Sequence, residues 1–198
     1  MSWTAIVPIK VGANSKTRLR AVLSSAQRAS LSEALARHVI ECLRASPSIT
    51  RIAVLSASAP GGAGLRWIHD AGRGLNQELD AARSKMPKTP ILVLHADLPL
   101  LRVEEVEALL AAASFTGAAI APDRHATGTN ALAIADGRDI RFAFGPDSLE
   151  QHKALLGADV RIMQRAGLAF DLDTPNDILA LPGEVALRLG LAPGERQP

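Results

Sequence analysis

With 198 residues, 47% of them hydrophobic, the chain is long enough to bury one sizeable core and short for two independent domains. Its 22 basic and 20 acidic residues leave a formal charge of +2, and only two Trp, four Phe and no Tyr are available for stacking, which argues against a nucleic-acid-binding protein. The single cysteine, Cys42, excludes an intrachain disulfide and a cysteine-rich zinc site.

The first residues, Met1 to Pro8, read as a short strand and lack the basic region and long apolar run of a signal peptide. With no membrane-length apolar stretch either, the expectation is a cytoplasmic protein with no membrane partner. In chain order, apolar β-branched runs predict strands over Trp3 to Ile9, Arg51 to Ala57, Ile91 to His95, Ala118 to Ala121 and Val160 to Met163. Between them, Ser30 and Glu33 form a candidate capping box for a helix whose apolar face carries Leu31, Leu35, Val39 and Cys42. Ala59 to Gly64 reads as a surface turn. Helical periodicity recurs over Leu75 to Met86, Val103 to Ala113 and Ser148 to Leu156. The alternation is that of an α/β protein, with one domain over 1–191 and a disordered tail over 192–198. Ile91 to Leu94 has the continuous apolarity of a central parallel strand, and it runs into His95-Ala96-Asp97-Leu98-Pro99. Open parallel sheets bind ligands beyond such strand ends, so Asp97 is the first candidate site residue.

Several further segments carry residues suited to a charged ligand. Lys10, Lys16 and Arg18 follow the first strand and could gather around a polyphosphate, although a solvated basic loop has the same composition and the P-loop pattern is absent. Gly72-Arg73-Gly74-Leu75-Asn76 places two glycines before a helix; Gly74 and Asn76 could meet a nucleotide, or Asn76 could cap the helix. In Asp171-Leu172-Asp173, an extended backbone would turn both carboxylates to one side, where with Asp97 they could hold Mg²⁺. The competing role for Asp173 is in the helix start that Thr174, Pro175 and Asp177 suggest. Asp123 to Asn130 and Phe144 to Ser148 are small-residue turns that could seat an anion or serve only as turns and caps. His95, His125 and His152 are scattered and lack zinc spacing.

Taken in order, Ile6-Val7-Pro8-Ile9-Lys10, Lys16-Thr17-Arg18-Leu19, Gly74-Leu75-Asn76, Asp97-Leu98-Pro99, Gly128-Thr129-Asn130, Phe144-Gly145-Pro146-Asp147-Ser148 and Asp171-Leu172-Asp173-Thr174-Pro175 resemble the 2-phospho-L-lactate guanylyltransferase family of coenzyme F(420) biosynthesis, its phosphoenolpyruvate and 3-phospho-D-glycerate variants included. The resemblance spans about residues 5 to 181. It implies a Rossmann-like three-layer α/β/α nucleotidyltransferase fold with a mostly parallel mixed sheet. The Arg-Met-Gly signature of the broader nucleotidyltransferase group is absent, which favours the guanylyltransferase branch.

By the same resemblance, Asp97, Asp171 and Asp173 would hold Mg²⁺, and Lys10, Lys16 and Arg18 would meet the phosphates of GTP. Thr129, Gly145 and Ser148 would contact the acceptor, with Gly74 and Asn76 on the nucleotide side. The implied reaction transfers GMP from GTP to a small phospho-carboxylic acid and releases pyrophosphate. The rival readings are a nucleotidyltransferase for another base or a sugar phosphate, and a nucleotide-binding module without catalysis. Oligomeric state, a homodimer included, and the choice of acceptor are left open by the sequence.

Overall fold

In the computed structural model, residues 1–10 and 15–191 are described; the glycine between Lys10 and Lys16 and the tail over 192–198 lie outside them. Seven strands form one sheet: β1 (Trp3–Pro8), β2 (Ile49–Ser56), β3 (Leu65–His69), β4 (Ile91–Leu94), β5 (Ala118–Pro122), β6 (Thr129–Ile134) and β7 (Arg161–Ile162). Their spatial order is β3-β2-β1-β4-β6-β5-β7. Only β6 runs antiparallel to its neighbours, pairing with β4 and β5, and the other pairings are parallel.

Helices α1 (Ser25–Ala45), α2 (Leu75–Ser84), α3 (Val103–Thr116) and α4 (Ser148–Leu156) cover the sheet, and α5 (Ala166–Ala169), α6 (Pro175–Ala180) and α7 (Gly183–Arg188) complete the chain. Strand residues alternate between two cores. Ala5, Val7, Leu92 and Leu94 pack with Val39 and Leu43 of α1 and Val106 and Leu109 of α3. Ile6, Ile91 and Val93 pack on the opposite face with Leu79 of α2 and Leu149 of α4. The result is the expected α/β/α sandwich with a mostly parallel mixed sheet. A third cluster joins Leu19 and Leu35 to Leu172, Ile178 and Val185, and so brings the segment beside Arg18 and the last helices together.

Three expectations change. Helix α1 starts at Ser25, capped by Ser24 and Gln27 with reciprocal bonds, so Ser30 and Glu33 lie inside it. Ser24-x-x-Gln27 is the same capping signature, placed earlier than Ser30-x-x-Glu33. β3 is a strand without an apolar run to announce it, because it lies at the edge of the sheet with Arg66, Trp67 and His69 exposed. β6 reads from its sequence as a turn followed by alanines, yet all six residues are buried in the middle of the sheet. Its pairing with two neighbours overrides the weak strand preference of Asn and Ala.

Candidate active site

The parallel strands end along one edge of the sheet, and of the expected site residues Lys10, Lys16, Gly74, Asp97 and Asp173 line cavities there. Two adjoining cavities open on that edge. The larger, about 360 Å³, is lined by Lys10, Lys16, His95, Asp97 and Asp173 among others. The smaller, about 150 Å³, is lined by Leu55, Asp70, Gly72 and Gly74, and Pro8, Ile9, Lys10 and Leu75 form a wall common to both.

Lys16 is the hinge of the larger cavity. Its backbone adopts a left-handed conformation (φ 48°), and its Nζ donates to Asp97 Oδ2 and Asp173 Oδ1, each at 2.8 Å. Burial works against the ammonium charge, but the two carboxylates outweigh it and hold the Lys16 pKa above its ordinary value. Burial likewise opposes the charge of Asp97, and Lys16 with His95 overcomes it, so the Asp97 pKa lies below the ordinary value. Arg18 reaches Asp173 at 3.5 Å and is otherwise solvent-facing.

Asp171 stands in the same acidic group without a close cation of its own. Its pKa is raised by burial and then by the charges of Asp97 and Asp173, with Arg124, 3.9 Å away, giving only partial relief. The loop carrying Asp171 and Asp173 is held from behind. Leu172 N–H donates to Asp97 O (3.0 Å), and Asp177 Oδ2 accepts from the N–H groups of Asp173 (2.8 Å) and Thr174 (2.6 Å). Thr174 and Asp177 thus do cap α6, which leaves the Asp173 carboxylate free to face Lys16.

Arg124, which sequence reasoning did not single out, locks that arrangement. It lies 4.4 Å over the Phe170 ring, donates to Asp171 O at 2.7 Å and pairs with Asp177 at 2.9 Å. No local motif announces it, because its partners lie some fifty residues away.

The expected Mg²⁺ cage is not ready-made. Among the described residues no three His, Cys, Asp or Glu side chains are close enough to hold one ion, because the Lys16 ammonium lies between two of the carboxylates. The donor set nevertheless fits a hard cation: it is all carboxylate oxygen, and Asp97 Oδ1 is buried without a hydrogen-bond partner.

Two residues are corrected. Asn76 neither caps α2 nor offers its amide freely: its Nδ2 donates to Phe144 O (2.9 Å) and its Oδ1 accepts from Phe144 N–H (2.8 Å). It therefore ties α2 to the turn before α4. The Thr129 hydroxyl is 2% exposed and bonded to His152 Nδ1 at 3.0 Å, so its side chain faces the interior rather than an acceptor. Gly145 (φ 126°) is exposed and its backbone conformation disfavours a side chain, while Ser148 is buried at the start of α4.

Glu78 accepts from the backbone N–H groups of Ala71 and Arg73 and from the Arg73 guanidinium, which occupies Arg73 and folds the Asp70 to Gly74 loop that walls the smaller cavity. Gly74 lies on its wall with φ 104°, and a Cβ there would project into open space. Asp70, also missed from sequence, accepts Gly72 N–H on Oδ1 (2.8 Å) and has no hydrogen bond to Oδ2 among the described residues.

This edge, with its basic loop, acidic group and glycine-walled side chamber, sits on the fold of the nucleotidyltransferases. The chain aligns with a 2-C-methyl-D-erythritol 4-phosphate cytidylyltransferase from Thermus thermophilus at a TM-score of 0.55 and 16% identity, covering 96% of this chain and 98% of that one. It aligns with a structure from Desulfovibrio desulfuricans, described as a nucleotide-diphospho-sugar transferase, at a TM-score of 0.72 and 17% identity, covering 93% and 88%. These likenesses establish the fold alone. Residues 3–184 match the family described as guanylyl transferase CofC like, and the chain belongs to that family. It is 32% identical to a phosphoenolpyruvate guanylyltransferase of Streptomyces coelicolor over 203 residues, 98% of this chain and 93% of the relative. It is 38% identical to one of Rubrobacter xylanophilus over 196 residues, 91% and 94% of the two chains.

Proposed function

We propose that this chain transfers GMP from GTP to the phosphate of a small phospho-carboxylic acid, forming a diphosphate-linked guanylyl acid and pyrophosphate in coenzyme F(420) biosynthesis. The observation that carries the base choice is Asp70. It brings an unpaired carboxylate oxygen to a chamber that shares a wall with the larger cavity, where the cations of the phosphate site stand. Guanine offers two adjacent donors, N1–H and the 2-amino group, which suit a carboxylate; cytosine and adenine present an acceptor at the corresponding edge and would be repelled.

In this reading the acceptor phosphate oxygen attacks the α-phosphorus, a new P–O bond forms, the bond to the β-phosphate bridge breaks, and pyrophosphate leaves with the electron pair. The nucleophile is already ionised, so the chain needs no strong base. Lys10, Lys16 and Arg18 offset the repulsion between the two anions and the charge on the leaving group. Mg²⁺ held by Asp97, Asp171 and Asp173 would supply further charge neutralisation when bound. Lys16 then exchanges its two carboxylate partners for phosphate oxygens. The acceptor lies beside Gly145 and Ser148 at the N-terminus of α4, whose positive dipole end favours an anion.

Phosphoenolpyruvate is the first acceptor to try, because the similar Streptomyces and Rubrobacter proteins are named for it. The test is pyrophosphate release from GTP with phosphoenolpyruvate, 2-phospho-L-lactate or 3-phospho-D-glycerate, with products identified by mass. A reaction with one acid establishes the transfer and names the acceptor. No reaction with any acid or divalent metal, in protein that still binds GTP, refutes it in favour of a binding module.

A further inference from the structure

Three buried side-chain atoms among the described residues have no hydrogen-bond partner: Arg83 Nη2, His95 Nε2 and Asp97 Oδ1. Two of the three stand two residues apart in the wall of the larger cavity. Buried polar atoms are almost always partnered, and leaving one orphaned is destabilising. Asp97 has a cation to expect, but His95 has no assigned role.

The position of His95 is built. Its N–H donates to Asn130 O at 2.9 Å, which continues the β4–β6 ladder one residue beyond β4 and fixes the side-chain direction. The ring lies 5.2 Å from Phe144, whose backbone is gripped on both sides by Asn76. Phe144 in turn meets His152 edge-on at 4.8 Å. His152 is fully committed: Nε2 accepts Ala143 N–H (3.1 Å), which leaves the ring proton on Nδ1 to donate to Thr129 Oγ1. Of the two imidazoles in this cluster, only that of His95 has an unpartnered nitrogen, and His95 lines the cavity.

We infer that His95 is an acceptor-binding residue whose Nε2–H donates to an anionic oxygen of the phospho-acid. The assignment rests on the guanylyl-transfer reading, and geometry chooses the acceptor over the nucleotide. Phe144, the ring's neighbour, leads directly into Gly145, whereas His95 takes no part in the wall of the base chamber.

The test compares His95→Phe, which keeps a ring against Phe144 and removes the donor, with His95→Gln, whose amide reaches about as far as Nε2. The expected result for the Phe variant is a KM for phosphoenolpyruvate raised roughly 10- to 100-fold with that for GTP little changed, as for a lost hydrogen bond to a charged group. Most of this is restored in the Gln variant. The Phe variant also melts at or above the wild-type temperature, since an orphaned polar atom has been removed. An unchanged acceptor KM, an equal loss for GTP and acceptor, or a lower melting temperature with no rescue by Gln overturns the inference. Wild-type protein inactive with every phospho-acid would instead refute the transfer reading, and calorimetric titration of phosphoenolpyruvate into wild-type and Phe variant would then decide His95 alone: equal binding or none refutes it.

Discussion

Asp70→Asn should change which purine the enzyme uses. Gly72 N–H donates to Asp70 Oδ1 at 2.8 Å, and that donor will hold an oxygen in place, so the new amide NH₂ takes the position of Oδ2. There it meets the guanine donors instead of accepting from them. Losing a hydrogen bond to a charged group, worth about 1.5–3 kcal/mol, and setting donor against donor should together lower kcat/KM for GTP by about 10²- to 10³-fold. Xanthosine triphosphate carries a carbonyl where guanine has its amino group, and the same NH₂ can donate to it. Wild-type enzyme should therefore prefer GTP over xanthosine triphosphate, and the variant should reverse or abolish that preference. Inosine triphosphate, which lacks the 2-amino group, should lose about tenfold with wild type. Pyrophosphate release with phosphoenolpyruvate measures all three. A variant that keeps the wild-type ratio of GTP to xanthosine triphosphate, whatever its absolute rate, would show that Asp70 does not read the base.

Asp97→Asn and Asp171→Asn should each lose about 10²-fold in turnover while melting as folded proteins, and wild-type turnover in either, with the metal requirement intact, removes that carboxylate from the site. Arg124→Ala leaves the nearly buried Asp177 carboxylate without its cation, so chemical denaturation should report a loss of about 2–3 kcal/mol, discounted because Arg124 itself is 27% exposed; a loss within error would show that the clamp is dispensable. Burial lowers the His152 pKa to about 4 from an ordinary 6.5. Between those values the unfolded chain binds the proton and the folded one does not, so this contribution is complete above pH 6.5 and is lost as pH falls toward 4. Over that window wild type should lose about 2–3 kcal/mol more than His152→Gln, and parallel pH profiles for the two would refute the neutral buried ring.

Membership of the guanylyltransferase family and the sandwich fold were legible in the sequence because each rests on local signals. The continuous apolarity of Ile91 to Leu94 and the periodicity of α2 and α4 need no distant partner to be read, and the ordered motifs survive as strings. The acidic, basic and glycine-bearing segments of the site could be named for the same reason: strand ends in a parallel sheet converge on one edge.

Tertiary structure decided what those side chains do. Lys16 and Asp173 are 157 residues apart in the chain, and only folding sets the ammonium between two carboxylates. Asn76 and Thr129 look like ligand contacts as isolated motifs, yet Phe144 and His152, each distant in sequence, take up their polar groups. Asp70 and His95 carried no motif and are defined by a cavity and a missing hydrogen bond. Sequence specifies which polar groups exist, whereas their availability depends on how donors and acceptors are matched across the fold, a property of three-dimensional packing that no local pattern records.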